Sequence, residues 1–258
     1  MQIGAMNHPA RDPLEEIGWM AEMGLEFIDL TLEPPAVAPW RVDFAAIRRA
    51  LEAASLDVVG HTAYYLPIGH PFEEVRRAAT AALASCQEAF AAVGARWMNV
   101  HPDGHAPMHD RAFVVAQNLK SLSALVEAGR KTGVGVMVEN VPAGFNTPEQ
   151  LGELLDALPD LGLHLDIAHA NLRVEVNTTE AILARYADRL QHVHLHDNNG
   201  QADQHLPLGA GTIDVPRMVR ALRNSRYDGT ITLEVFSRDR RHLEYSRDVL
   251  RRLWDESA

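Results

Sequence analysis

Short β-rich runs alternate eight times with amphipathic helical patterns along this 258-residue chain. The runs predict strands near residues 2–6, 26–31, 57–61, 96–101, 134–139, 161–167, 190–196 and 229–236. The intervening patterns predict helices near residues 13–23, 43–55, 72–93, 110–131, 147–157, 178–188, 214–225 and 239–255. Eight strand–helix units in a chain of this length predict one (β/α)8 barrel domain, a TIM barrel over residues 1–258.

Capping signals support these helix boundaries. Asp12 and Thr147 each precede a proline, the arrangement of an N-cap followed by proline at the first helical position. Gly94 and Gly133 stand where the helical periodicity stops, as helix-terminating glycines do. A doubly wound open sheet is the alternative, but no G-x-G-x-x-G sequence follows the first predicted strand. The closed barrel is therefore favoured.

Charge and residue usage narrow the classes of function. The formal net charge of −11 disfavours a broad nucleic-acid-binding surface, although basic loops could still hold phosphates locally. The only lysines, Lys120 and Lys131, fall on one predicted helix, which disfavours a Schiff-base mechanism at a strand end. The single cysteine, Cys86, falls on an apolar helical stripe, so we expect it to be a buried packing residue.

The distribution of apolar residues along the chain predicts a soluble, cytoplasmic protein. Hydrophobic residues make up 47% of the chain, enough for a large core. No run of ~18 apolar residues is present, so we expect no membrane partner. The segment after Met1 has neither a basic region nor a cleavable apolar stretch, so we expect no secretory signal. The oligomeric state stays open, a homodimer included.

The alternation of side chains along the predicted strands places polar groups inside the barrel. Successive side chains point to opposite faces of a strand, so the apolar positions that face the helices leave the alternate positions pointing inward. In six strands, an inward position near the carboxyl end carries an acid or an imidazole. These positions are His61, His101, Glu139, His164, Asp166, His192, His194, His196 and Glu234. Barrel enzymes have their active sites at this rim, and we expect the active site there.

The loop after the seventh predicted strand adds further metal-ligand types. Asp197, Asp203 and His205 follow His194 closely, and this density of hard and borderline ligands predicts half of a metal site. One loop cannot surround a cation without burying unpaired carboxylates, so the remaining ligands must come from other strands.

The inward carboxylates of other strands can complete that site. Converging buried carboxylates without a cation would repel each other and be forced to protonate. Three acids and one imidazole at one level suit Mn²⁺, Mg²⁺, Co²⁺ or Zn²⁺. A lone inward histidine is more often a hydrogen-bonded core residue, and we expect the deeper His164 and His192 to be structural. The predicted central ligands are Glu139, Asp166, His194 and Glu234.

Several of these segments also carry a family resemblance. They resemble the xylose-isomerase-like barrel superfamily, which includes sugar phosphate isomerases/epimerases and apurinic endonucleases of the endonuclease IV type. The resemblance covers nearly the whole chain, and the motifs occur in the same order as in the family. The segments are His61-Thr62-Ala63-Tyr64, Asn99-Val100-His101-Pro102, Val138-Glu139-Asn140, Leu165-Asp166-Ile167-Ala168-His169, His194-Leu195-His196-Asp197, Asp203-Gln204-His205 and Leu233-Glu234.

The two subgroups imply different metal contents, from one to three divalent ions per chain. Resemblance to the ketose epimerases implies one ion on the four central ligands, with Glu139 and Glu234 also moving protons. Resemblance to endonuclease IV implies three zinc ions, and all nine ligand positions of that enzyme find a match. They are His61, His101 and Glu139 for the first ion; Glu139, Asp166, His194 and Glu234 for the second; and His169, Asp203 and His205 for the third.

The predicted rim loops favour the isomerase/epimerase subgroup. The endonucleases use extended basic or aromatic loops to kink DNA, whereas the segment after His169 is short and of mixed charge. The resemblance therefore implies a metal-dependent sugar or sugar phosphate isomerase/epimerase that transfers an α-proton through an enediolate. A multi-zinc phosphoester hydrolase, such as an abasic-site endonuclease or a phosphatase, is the alternative. A lyase or dehydratase on the same scaffold also stays open.

Three rim residues are candidates for binding substrate. Tyr64 stands where the endonucleases have a tyrosine that contacts DNA, but a rim tyrosine can equally line a sugar pocket. His169 and Arg173 could orient hydroxyls or a phosphate. We expect the partner to be a small-molecule carbohydrate, with nucleic acid less favoured.

Overall fold

In the part of the chain that the structure describes, eight parallel strands close into a barrel in the order β1 to β8, and an α-helix follows each strand. The structure is a computed structural model, and it describes residues 1–104, 106–142 and 144–257. The strands are β1 Gln2–Met6, β2 Phe27–Leu32, β3 Asp57–Thr62, β4 Trp97–Val100, β5 Gly135–Glu139, β6 Gly162–Asp166, β7 Leu190–Leu195 and β8 Thr230–Leu233. The helices are α1 Pro13–Glu22, α2 Phe44–Ala54, α3 Glu73–Val93, α4 Arg111–Thr132, α5 Pro148–Leu155, α6 Thr179–Tyr186, α7 Val215–Asn224 and α8 Arg241–Glu256. The predicted (β/α)8 TIM barrel is confirmed.

The predicted helix caps form. The side chains of Asp12 and Thr147 accept hydrogen bonds from the first-turn amides of α1 and α5. Gly94 and Gly133 end α3 and α4 with φ of 90° and 78°, the left-handed conformation that a side chain disfavours. Cys86 is buried on α3, and burial raises the pKa of its thiol to about 12.

Large aromatic side chains fill the amino-terminal end of the barrel. Phe27 and Trp97 pack beside two strand glycines, where a Cβ on Gly4 would come within 2.7 Å of the Phe27 ring and one on Gly135 within 2.4 Å of Trp97. Glycine at these positions makes room for the rings. Because this end is filled with apolar groups, the polar inward residues lie toward the other end.

Asparagines just beyond two strands continue the strand pairing at the carboxyl ends. Asn7 pairs with Thr31 through two side-chain-to-backbone bonds of 2.7 and 3.2 Å, and Asn140 pairs with Asp166 in the same way at 2.7 and 2.8 Å. The carboxamides satisfy backbone groups that would otherwise be buried without partners. They therefore fix the backbone from which the rim side chains project.

Two sets of residues depart from the predicted element boundaries. Strands β4, β7 and β8 end before His101, His196 and Glu234, which the sequence pattern places inside strands. Glu234 still donates its N–H to the carbonyl of Leu195 at 3.2 Å, so its backbone stays aligned with the barrel. Short 3₁₀ helices, His169–Asn171 and Ala187–Arg189, flank α6. In the described part of the chain, no helix is long and apolar enough to cross a membrane.

Candidate active site and metal centre

The four predicted central ligands project from the carboxyl ends of neighbouring strands. Glu139 and Asp166 are the last residues of β5 and β6, His194 lies in β7, and Glu234 directly follows β8. The strand register places Asp166 beside His194. All four side chains are buried. The strand ends thus bring acidic and imidazole groups together, as the alternation of side chains along the strands predicts.

One group of potential ligands joins β3, β4 and β5. Atoms of His61, His101 and Glu139 that could ligate a metal all lie within 4.8 Å of one another. His101 Nε2 is 2.8 Å from Glu139 Oε2, to which the amide of Asn99 also donates at 3.0 Å. This is the trio that resemblance to endonuclease IV implies for the first zinc ion.

The central ligands divide between two further groups. Glu139 and Asp166 gather with His169, whose Nδ1 lies 3.1 Å from Glu139 Oε1 and 3.4 Å from Asp166 Oδ2. His194 and Glu234 gather with His61, and His194 Nδ1 lies 3.2 Å from Glu234 Oε1. The two groups and the trio on β3 to β5 share members, so the three form one continuous cluster.

The outer ligands meet at Asp203. Its Oδ2 lies 3.3 Å from His169 Nε2 and 3.2 Å from His205 Nε2, and its Oδ1 lies 3.3 Å from His196 Nε2. The side chain of Asp203 is 36% exposed, so this group lies nearest the solvent. The structure therefore brings together all three residues implied for the third zinc ion.

Asp197 takes no part in the cluster, contrary to its expected grouping with the ligands of the same loop. Its buried carboxylate accepts backbone N–H bonds from Asn198, Gly209, Gly211 and Ile213 at 2.9 to 3.1 Å. Four amide donors satisfy the carboxylate without a cation. Asp197 instead holds the ends of the loop together and so positions Asp203 and His205.

Burial and ion pairing set the protonation of the cluster. Burial disfavours charge on Glu139 and Glu234, but neighbouring histidines outweigh it, lowering the pKa of Glu139 well below its usual range and that of Glu234 to about 2. Burial also opposes charge on His169 and His194, yet adjacent carboxylates raise the pKa of both imidazoles well above normal. Asp166 differs, because burial dominates and raises its pKa.

Five buried atoms in the cluster make no hydrogen bond of acceptable geometry with the described residues, although three of them lie 3.2 to 3.4 Å from an oppositely charged group. They are His61 Nδ1, His101 Nδ1, Asp166 Oδ2, His194 Nδ1 and His196 Nε2. Such atoms are costly unless something binds them. Imidazole nitrogens and carboxylate oxygens at this spacing suit a divalent cation, so the residues fit the metal centre that the resemblance implies.

The two deeper histidines behave differently from each other. His192 lies 2.6 Å from the hydroxyl of Thr230 and 3.0 Å from that of Thr232, in keeping with a structural role. Neither ring nitrogen of His164 has a hydrogen-bond partner within the described ranges. Its burial lowers its pKa well below normal, so the ring is neutral. Its Nδ1 nevertheless lies 3.3 Å from Glu139 Oε2, and the structural role expected for His164 stays a prediction.

A cavity of about 1220 Å³ opens onto the cluster. Glu139, Glu234 and His169 line it, and Tyr64 stands at its mouth, 74% exposed, with its ring 6.4 Å from that of His101. Arg173 is exposed and does not line the cavity, so we leave it out of the proposed site.

Sequence reasoning overlooked Asp29. It lies in β2 and is buried, and its Oδ2 is 2.7 Å from His194 Nε2 and accepts a hydrogen bond from the Thr232 hydroxyl at 3.0 Å. Burial opposes its charge, but hydrogen bonds from His192 and His194 lower its pKa well below normal. Side-chain alternation could have found it, since Phe27, Asp29 and Thr31 alternate along the strand.

Comparisons with known proteins agree with this fold. A profile of the xylose isomerase-like TIM barrel family matches residues 17–253, and the chain belongs to that family. The chain is also 32% identical over 169 residues to an uncharacterized protein of Methanocaldococcus jannaschii, a match over 59% of this chain and 54% of the relative. A second uncharacterized protein of that organism is 27% identical over 58% of this chain and 59% of its own length. The chain thus spans little more than half the length of these relatives.

Three solved structures share the whole barrel. A D-tagatose 3-epimerase-like protein superposes with a TM-score of 0.87 at 22% identity, over 100% of this chain and 98% of its own. The 3-keto-D-glucoside 4-epimerase of E. coli gives 0.80 at 23% identity, over 98% and 99%. A protein of Thermus thermophilus soaked with ZnCl₂ gives 0.79 at 26% identity, over 99% of both chains.

Proposed function

We propose that this protein is a divalent-metal-dependent sugar epimerase or isomerase that moves an α-proton through an enediolate. The observation that carries the proposal is the placement of Glu139 and Glu234. Both carboxylates are buried and line the same cavity, and their strands, β5 and β8, lie three positions apart around the barrel. Two carboxylates that reach one substrate from different sides can exchange a proton with it on different faces.

Glu139, Asp166, His194 and Glu234 would hold the metal. When bound, the ion supplies Lewis-acid chemistry, since it polarises a carbonyl and stabilises developing negative charge on the substrate oxygens.

The protonation states suit this chemistry. The lowered pKa values of Glu139 and Glu234 keep both carboxylates ionised at neutral pH, the form that accepts a proton. Glu234 takes the α-proton on a carboxylate oxygen. Glu139 first receives a proton from the adjacent imidazolium of His169, whose pKa is raised, and then delivers it to the opposite face, and exchange with solvent restores both groups. His169 contacts Glu139 and lines the cavity, so it is placed to orient a hydroxyl. Tyr64 lines the cavity with an aromatic ring, which suits the apolar face of a sugar ring.

A multi-zinc phosphoester hydrolase is the second candidate. The observation that favours it is the group of His61, His101 and Glu139, whose ligand atoms lie close enough together to share an ion. Asp203 also contacts His169 and His205, at 3.3 and 3.2 Å. A metal pair or trio is typical of enzymes that hydrolyse phosphoesters.

Solvent deuterium exchange separates the two. We expect the metal-loaded protein to exchange the α-proton of at least one ketose or ketose phosphate in D₂O, and to leave an abasic-site DNA duplex intact. Elemental analysis of the same protein should find about one tightly held ion per chain. Incision of the duplex at catalytic rates, with no exchange on any sugar and about three ions per chain, would establish the hydrolase instead.

A further inference from the structure

The cavity continues well past the metal ligands. At about 1220 Å³ it exceeds the ~300–1,000 Å³ of typical small-molecule pockets. The β1–α1 and β8–α8 loops form one flank of the cavity, and three arginines line it there: Arg11, Arg238 and Arg240. A concentration of guanidinium groups in a chain of net charge −11 calls for an explanation.

Buried neighbours orient two of these arginines. Arg11 Nη1 and Arg240 Nη2 each lie 3.6 Å from Glu16 Oε1, and the Glu16 side chain is only 4% exposed. The guanidinium of Arg240 also stacks over the ring of Trp19, 4.1 Å from its centroid. These contacts orient the two side chains, which are still 57% and 44% exposed and so keep N–H groups available to a ligand.

The flank keeps an excess of positive charge. Glu16 balances one of the three guanidinium groups, and Asp239, the nearby acid of the β8–α8 loop, is paired with Arg241. Arg238 has no carboxylate within ion-pair distance in the described part of the chain. About two positive charges therefore face the cavity without a fixed counterion, which matches the charge of −1.5 to −2 on a phosphate monoester near pH 7.

We propose that Arg11, Arg238 and Arg240 form an anion subsite, and that the sugar substrate carries a phosphate ester which binds there. This substrate class rests on the proposed function. Arg238 lies four residues beyond Glu234 on the same segment, so one loop connects the reacting end of the cavity to the anion subsite. Loops after the last strands of a TIM barrel commonly bind phosphate. Guanidinium groups provide paired N–H donors that match phosphate oxygens.

The test compares ligands that have no carbonyl and cannot react. Titration calorimetry on the metal-loaded protein measures the affinity for D-glucitol 6-phosphate and for D-glucitol. We expect the phosphate to raise the affinity by about tenfold or more, as hydrogen bonds between charged groups do. Arg238→Ala and Arg11→Ala should each remove most of this preference. The matched control is Arg49→Ala, since Arg49 is an exposed arginine on α2 that does not line the cavity.

Three results would overturn the subsite: equal affinity for the two ligands, a phosphate preference that survives both substitutions, or tighter Arg238-dependent binding of D-gluconate. The last result would show that the flank binds carboxylates rather than phosphate esters. Circular dichroism of each variant should match the wild type, and a variant that fails this check is replaced by Arg238→Gln. Failure of the proposed function is distinct, because it shows as absence of α-proton exchange on every sugar, whatever the calorimetry finds.

Discussion

Asp29 Oδ2 and His194 Nε2 lie 2.7 Å apart in the middle of the barrel. The lowered pKa of Asp29 makes it an acceptor, so His194 Nε2 carries the proton and donates it. This leaves Nδ1 of the same ring facing Glu234 at 3.2 Å. A carboxylate behind a histidine is the usual way in which a protein fixes the tautomer and orientation of a metal ligand.

Asp29→Asn should therefore weaken metal binding without unfolding the protein. The amide is nearly isosteric but no longer fixes the His194 tautomer, and losses of about 10–100-fold in metal affinity are typical for such partners. Competition against a chromogenic chelator measures the dissociation constant. Asp160→Asn, which alters a surface ion pair with Arg130, is the control and should leave the affinity unchanged. Equal affinities for the two variants would remove Asp29 from the metal site.

Glu139→Gln and Glu234→Gln should each abolish α-proton exchange while the fold persists. Glutamine keeps the shape and one oxygen ligand but cannot accept the proton, and loss of a general base lowers the rate by roughly 10²–10⁴-fold. Exchange in D₂O followed by NMR gives the rate, and circular dichroism checks the fold. The exposed Glu88 of α3 supplies the control, Glu88→Gln. Near-normal exchange in either site variant would exclude that residue from proton transfer.

The barrel and the positions of its rim ligands were predictable because both follow from periodicity. Alternation of strands and helices gives the topology, and alternation of side chains within strands places Glu139, Asp166, His194 and Glu234 on the inward face. Asp29 was overlooked because a single acid in an otherwise apolar strand suggests no partner, and His194 is 165 residues away. Only closure of the barrel brings the two together.

Loop geometry was the part that sequence could not supply. Asp197 and Asp203 lie in the same loop region and have the same chemistry, yet one binds four amides and the other meets three histidines. Which carboxylate turns inward depends on backbone conformation, including φ of 49° at His205. Such local angles leave no periodic trace in the sequence. The exposed direction of Arg173, itself at φ of 56°, was hidden for the same reason.

Metal removal should lower the melting temperature. Without a cation, the carboxylates depend on protonated histidines, and buried atoms such as His61 Nδ1 and His101 Nδ1 have no hydrogen-bond partner within the described residues. Free ion at 100 times its dissociation constant stabilises by about 2.7 kcal/mol, which is roughly 5–10 °C for a chain of this size. Scanning calorimetry with and without a chelator measures the shift, and re-addition of metal should restore it. An unchanged midpoint after verified metal removal would argue against a metal site.

Gly211→Ala should disrupt the loop that carries Asp203 and His205. A Cβ at this position would lie 2.4 Å from both Asn198 O and Asp197 Oδ1, so the loop must move away from the Asp197 carboxylate. Leaving that buried group without its donors costs about 1–3 kcal/mol. Urea titration measures the loss. Gly18→Ala, on α1 where a Cβ meets nothing within 4 Å, should instead stabilise by about 0.5–1 kcal/mol. Equal stability of Gly211→Ala and wild type would contradict the close packing.

Asp203→Ala and His205→Ala distinguish the two candidate functions. In an epimerase with one essential ion these residues only place the substrate, so both substitutions should raise KM more than they lower kcat. The expected effect is about 1–3 kcal/mol, that of a lost hydrogen bond to a charged group. In a multi-zinc hydrolase the same residues hold an ion that activates water, so their loss would cost several orders of magnitude in kcat.

The measurement pairs steady-state kinetics with elemental analysis of each variant. We expect α-proton exchange to survive in Asp203→Ala with an unchanged number of tightly held ions, because Asp203 is the partly exposed member of the cluster and Glu139, Asp166, His194 and Glu234 remain buried beneath it. Asp188→Ala, which removes an exposed acid before β7, is the control and should match the wild type in both readouts. Loss of one ion per chain together with collapse of kcat would show that the outer ligands hold a catalytic metal, and would favour the hydrolase.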